Sequence, residues 1–386
     1  MKNFTRPLLW AAAGVSLLLG VPAKSQTADV NNLVFFQQTN LIANKPGVAQ
    51  ITDPNLQNPW GAAWAPGGAF WTSDNNNGLS TLYTGTPSIV GLVVTVPGTA
   101  IDAGANSNPD GIIWNPNAPG QFVISANGVS SGAIFIFVGE DGGIWGWTPV
   151  VDPISAAGTS TATLVLDNSL INGQPGAVYK GLAYGTNVHG NFIFATNFRA
   201  ATVEAYDQNF KRTTLDGNFT DPNIPAGFAP YGIANIDGDL FVTYAQQDPA
   251  TNNHDPIVGD GLGFVDVFST DGVFIRRFVS QGFLNAPWGV VRATEGFGDK
   301  AGDILIGNFG NNGQFGGWIN AFDNQGDFQG ELVSPQGSPI SIDGLWSLYF
   351  GNFAVSDGDT LYFTAGPNNQ LDGIFGKIVA VGPSSN

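Results

Sequence analysis

The sequence predicts an all-β chain closed into a ring of six four-stranded blades, a six-bladed β-propeller. Three observations carry this expectation. Gly (53) and Pro (24) together make up about a fifth of the 386 residues, and aromatic residues (12%) outnumber charged ones (11%). That composition disfavours long helices and coiled coils, while 43% hydrophobic residues suffice for a large core and exclude intrinsic disorder. A turn–Gly–apolar-strand motif recurs six times. Each copy is followed by further short apolar runs bounded by Gly, Asn, Asp and Pro, which is how a blade reads in sequence.

The motif copies are Pro59-Trp60-Gly61, Pro109-Asp110-Gly111, Tyr179-Lys180-Gly181, Pro230-Tyr231-Gly232, Pro287-Trp288-Gly289 and Ile342-Asp343-Gly344. Their glycines lie 50 to 70 residues apart. The second unit is the longest and holds two candidate hairpins, around Phe122 and around Phe135. The latter is preferred, because it leaves 163–166 as the outer strand. The sixth unit ends after three strands, while residues 33–41 form an unassigned apolar strand ahead of the first motif. Lending that strand to the last blade closes the ring and removes an open edge. No linker separates the units, so residues 26–386 are read as a single domain.

Residues 1–25 read as an export signal. Lys2 and Arg6 precede an apolar run over 8–21 that is too short to span a bilayer, and Ala23 and Ser25 are the small residues that signal peptidase reads. A secreted or periplasmic location is expected. Cleavage would remove Lys2, Arg6 and Lys24 and no acid, taking the formal net charge from −17 to −20. So acidic a chain argues against nucleic-acid and anionic-membrane partners. No other stretch is long and apolar enough to span a membrane, and a monomer is expected. There is no Cys, and the only Met is Met1. Disulfides and thiol chemistry are therefore excluded, and a zinc site of the usual His/Cys type is disfavoured with only two histidines. P-loop, dinucleotide and Gly-x-Ser-x-Gly signatures are also missing.

Several stretches together resemble a family of uncharacterised exported bacterial proteins. They are 53–61 (DPNLQNPWG), 137–142 (FVGEDG), 177–183 (AVYKGLA), 242–246 (VTYAQ), 307–310 (GNFG) and 342–346 (IDGLW). Many members of that family carry a PEP-CTERM-type sorting tail, a feature not seen at the C-terminus here. The resemblance implies the propeller fold and no established activity. More distantly, the motif is similar to NHL-repeat propellers and to the six-bladed gluconolactonase and paraoxonase group.

In such a ring the residue before each motif Gly faces the central channel. The expected ring is Trp60, Asp110, Lys180, Tyr231, Trp288 and Asp343: two acids, one base and three aromatics. The hairpins between second and third strands add Asp74, Glu140, Asp141, Asn197, Arg199, Gln246, Asp248, His254, Asp255, Asp260, Asn308 and Asn368 on the same face. Two functions are compatible with this set. In the first, Trp60, Tyr231 and Trp288 stack a small molecule, glycan or protein ligand, with Lys180, Arg199, His254 and Asp255 supplying polar contacts. The alternative is a calcium-dependent hydrolase or lyase, with Asp110 and Asp343 on the metal and His254 or Lys180 as base. The same residues also have a purely structural reading, in which the aromatics seal the channel and Lys180 neutralises the acids. The loop at 246–261 is expected to reach over the channel, with Ile257 and Val258 pinning it to the ring.

Overall fold

The computed structural model describes residues 34–382. The leader expected at 1–25, and Leu33 at the start of the predicted N-terminal strand, lie outside the described residues. Six antiparallel sheets of the predicted kind follow one another around a channel. The innermost strands are Pro59–Trp64, Pro109–Trp114, Tyr179–Asn187, Phe228–Ile236, Pro287–Arg292 and Leu345–Phe350. The second blade uses the hairpin Phe135–Gly139/Gly143–Trp147, with Thr163–Asp167 outermost, as expected. The alternative hairpin, Val123–Ala126/Val129–Gly132, is a separate two-stranded sheet.

Closure is made by the N-terminal strand Phe35–Ala43. It pairs antiparallel with Ile374–Val381, from Phe35↔Val381 to Ala43↔Ile374, with a bulge at Leu41. The outer strand of the last blade therefore comes from the opposite end of the chain. Two short strands cover exposed edges in parallel register: Ile51–Thr52 beside the N-terminal strand, and Thr159–Thr161 beside Ser88–Thr95. The second crossing accounts for part of the long second unit and protects an edge that would otherwise template aggregation.

One apolar cluster fills each of the six gaps between neighbouring blades, and a seventh fills one end of the channel. Period-2 alternation explains this layering. Each middle strand presents one apolar face to the blade before it and the other to the blade after it, so second and third strands are buried on both faces.

The innermost strands share one irregularity that shapes the channel. In all six blades the ladder to the second strand skips the ring residue and its successor: Pro59/Ala62, Pro109/Ile112, Tyr179/Leu182, Pro230/Ile233, Pro287/Val290 and Leu345/Leu348. The ring side chain is thereby turned into the channel, and its successor is pressed against the next blade. A Cβ on Gly289 would sit 2.5 Å from the Trp346 carbonyl oxygen, so only glycine fits there. Threonines on second strands lock the joints. Thr196 Oγ1 accepts from Gly181 N and donates to the Tyr231 carbonyl, both at 2.7 Å.

Candidate functional site

This register corrects the sixth position of the ring. Leu345 pairs with Ala365 and Leu348 with Phe363, just as Pro59 pairs with Asp74 and Ala62 with Thr72. The ring residue of the last blade is therefore Trp346, followed by Ser347 where the other blades have glycine. Asp343 lies three residues earlier and is exposed on the rim, where it accepts the Asn368 N–H at 2.9 Å. The Gly344 that suggested the alignment instead has a positive φ of 66° in the turn before the strand. The ring is one acid, one base and four aromatics, and Asp110 and Asp343 do not share it.

The four aromatics plug the channel. Trp60 stacks on Trp346 with ring centroids 3.4 Å apart, and Phe309 stacks on the other face of Trp346 at 3.9 Å. Trp288 meets Trp60 edge-on at 6.2 Å, and Tyr231 packs against Phe198 at 5.2 Å. All are buried: Tyr231 and Trp346 are fully enclosed, and Trp288, the most open, is 9% exposed. These ring faces stack on one another, and a ligand cannot lie flat on them. Phe198, Phe309 and Trp346 were not read as channel residues. Leu345-Trp346-Ser347-Leu348 does match the apolar–aromatic–small–apolar pattern of Pro59-Trp60-Gly61-Ala62, and that was the available signal.

A charged cluster sits against the plug on its hairpin side. Lys180 is 1% exposed, lies 4.9 Å above the Trp60 ring and forms an ion pair with Glu140 from the hairpin of blade 2. Asn75 bridges two acids, donating to Asp110 at 2.7 Å and to Glu140 at 3.0 Å. The two carboxyls are driven apart. Burial pushes Asp110 well above the usual carboxylate range, and the Glu140 charge adds to it. Burial also raises Glu140, but Lys180 and then His254 outweigh it, so Glu140 is held below the usual range. Asp110 is therefore the weaker acid of the pair and Glu140 the stronger. The second Asp110 carboxyl oxygen, the Trp60 indole N–H and the Tyr231 hydroxyl are buried without protein partners.

The long loop of blade 4 completes the cluster. Asp248 caps its short 3-10 turn at Ala250 N (2.8 Å), and Pro256–Ile257 folds back to pair with the second strand. Val258 packs against the aromatic plug, so the pinning role expected of Ile257 and Val258 falls to Val258 there. His254 Nδ1 lies 2.8 Å from Asp255 and 3.9 Å from Glu140. Arg199 ties the loop to blade 3, donating to the Asn252 carbonyl at 3.1 Å and the Gly176 carbonyl at 3.0 Å. The hydrogen bond from His254 holds Asp255 below its ordinary pKa. Glu140, Asp141, Arg199 and His254 line a small cavity of about 100 Å³. Burial lifts Asp141 to about 6, and one of its oxygens is buried without a partner.

Of the residues expected to form a site, Lys180, His254, Asp255 and Arg199 are thus gathered around Glu140. Trp60, Tyr231 and Trp288 are beneath it, Asp110 is joined through Asn75, and Asp343 stands apart. Glu140, His254 and Asp255 offer ligand atoms within 4.8 Å of one another, as do His189, Asp216 and Asp271 away from this cluster. Lys180 already supplies a positive charge to Glu140, and a metal would have to displace it.

No protein-family model matches the chain. The uncharacterised protein R648 of Acanthamoeba polyphaga mimivirus is 32% identical over 345 residues, covering 88% of this chain and 78% of that protein. The chain belongs to the family of that protein. Its relatives here are viral, and they give no support to membership of an exported bacterial family or to a sorting tail. Among solved structures, a Bacteroides thetaiotaomicron protein of unknown function superposes with a TM-score of 0.53 at 8% identity, covering 90% of this chain and 77% of that one. The PQQ-bound aldose sugar dehydrogenase of Streptomyces coelicolor gives 0.50 at 13% identity, covering 91% and 99%. At these identities the likeness is one of fold alone.

Proposed function

We propose that the protein is a ligand-binding propeller that takes a small, hydroxyl-rich molecule at the Glu140–Asp141–Arg199–His254 cavity on the hairpin face. The observation that carries this reading is the fixed, mixed-charge cavity wall, in which Asp141 keeps a buried oxygen unpartnered. Donors (Arg199, His254) and acceptors (Glu140, Asp141) alternate there, and hydroxyl groups satisfy both. The aromatics expected to stack a ligand act as the rigid floor behind Lys180. A cavity of about 100 Å³ admits one end of such a molecule. The reading includes export of the chain, on the strength of the leader-like residues 1–25, and action as a monomer.

The separation of Asp110 from Glu140 also supports a second reading, acid–base catalysis on the bound molecule, with a cation at Glu140, His254 and Asp255 as an optional component. Titration calorimetry of the chain lacking residues 1–25 against a panel of monosaccharides, polyols and glycans, with and without Ca²⁺, tests both. Saturable binding that disappears in the His254→Ala, Asp255→Ala double variant is expected. No heat with any panel member, in either condition, would overturn the proposal. Turnover of a bound sugar would favour the second reading over the first.

A further inference from the structure

The channel has a second, chemically opposite mouth. Beyond the aromatic plug the six innermost strands splay into a cavity of about 370 Å³ that draws on all six blades. Its walls are aliphatic, with Ile112, Leu182, Ile233 and Val291 among them, and Trp288 of the plug contributes to the lining. No Asp, Glu, Lys or Arg lines it. Trp64, Trp114, Tyr184 and Tyr349 come from the far ends of four innermost strands and are half-buried. Two of them are fixed in place: Trp64 Nε1 donates to the Phe350 carbonyl at 3.2 Å, and Asn117 donates to Tyr184 Oη at 2.6 Å. Among the described residues, the Trp114 indole N–H and the Tyr349 hydroxyl have no protein hydrogen-bond partner.

We infer that this cavity is a binding site for a neutral, largely apolar small molecule carrying one hydrogen-bond acceptor at its outer end. Three observations select that class. The volume is that of a small-molecule pocket, and such pockets are mostly apolar with a few placed polar groups. Filling it with liquid water would take about a dozen molecules, most facing carbon, which is the arrangement an apolar ligand relieves. An ionised ligand would lose its hydration against walls that offer no countercharge, and the formal net charge of −17 further disfavours anions. The Tyr349 hydroxyl and the Trp114 N–H are the free donors that would meet the acceptor. This site is independent of the hairpin-face cavity, because the stacked aromatics lie between them.

The test is a fluorescence titration of the full chain with 6-propionyl-2-(dimethylamino)naphthalene, a neutral apolar probe with one ketone acceptor that brightens and shifts to the blue in dry sites. Saturable binding of one probe per chain is expected. It should weaken at least tenfold in Val291→Trp, which fills the cavity, and severalfold in Tyr349→Phe. Phe353→Ser removes an apolar side chain that is 74% exposed elsewhere and should leave binding unchanged. If circular dichroism shows that Val291→Trp does not fold, Ile233→Phe serves the same purpose. No saturable signal from the unaltered chain, or full binding in a folded cavity-filling variant, would refute the site.

Discussion

The two ends of the channel are built from the same six strands and differ in nearly everything else. At the hairpin end the ring residues and the loops above them bring Asp110, Glu140, Lys180, His254, Asp255 and Arg199 together. At the other end the same strands finish in Ala63-Trp64, Ile113-Trp114, Ala183-Tyr184 and Leu348-Tyr349. The physical reason lies in what each end must satisfy. At the hairpin end the ladder skips two residues per blade, so backbone groups there need side-chain partners, and polar residues supply them. At the other end pairing resumes and is complete, so the inward positions are free to be apolar. The aromatic plug lies between the ends, which lets a buried ion pair and an apolar cavity sit on one axis.

The largest way to break this difference is to remove the partition. Trp346→Ala deletes the side chain that stacks between Trp60 and Phe309. Buried Trp→Ala changes cost about 3–5 kcal/mol. Chemical unfolding should show that loss, whereas Tyr349→Ala at the open mouth should cost clearly less. Equal losses would mean that the stack is not what separates the ends.

Next comes the ion pair. Lys180→Met leaves the Glu140 carboxylate against the aromatic floor without its cation, and breaking such a pair costs about 3–5 kcal/mol. Adding Glu140→Gln should recover most of that loss, because the unpaired charge is gone. A double variant no more stable than Lys180→Met would show that packing, not charge, is at stake.

Titration sharpens the contrast further. Asp141 has its pKa raised to about 6 by burial, so the folded chain favours its neutral form. Its contribution to stability is complete below the unfolded value near 4 and is lost as pH rises through 6. Two pH units correspond to at most about 3 kcal/mol. Unfolding curves at pH 4 and pH 8 should converge in Asp141→Asn relative to the unaltered chain. An unchanged pH slope would contradict the burial argument. Glu140 runs the other way, since its depressed pKa stabilises the fold above the normal carboxylate range and that stability is lost on acidification.

The smallest expected effect on stability is the most informative for function. The His254→Ala, Asp255→Ala variant alters surface positions, 34% and 52% exposed, and should shift stability by no more than about 0.5 kcal/mol. Ligand binding at the hairpin face should vanish while probe binding at the apolar mouth persists. Loss of both would show that the two ends are coupled.

Much of this architecture was legible in the residues alone. Six turn–strand motifs, strands of period 2 and an orphan N-terminal strand are local signals, and they led to six blades closed by Phe35–Ala43. Trp60, Lys180, Tyr231 and Trp288 could be placed on the axis because each precedes a glycine that the next blade presses against. Blade 6 broke that rule: Ser347 stands where the glycine should be, and Gly344 nearby serves a turn, so Asp343 was read for Trp346. Register is a property of the pairing partner, here Leu361–Ala365: a three-residue slip exchanges the two faces of the strand, and nothing short of that partner decides between Asp343-Gly344 and Trp346-Ser347 as the ring position. Only the assembled ring decided that Glu140 of blade 2 meets Lys180 of blade 3 and His254 of blade 4. Only the ring, too, decided that Asn75 joins two acids and that the aromatics face one another instead of solvent. Those contacts span 35 residues of chain for Asn75 with Asp110 and 286 for Trp60 with Trp346. Their energies depend on burial and mutual distance, quantities that exist only after the blades have closed.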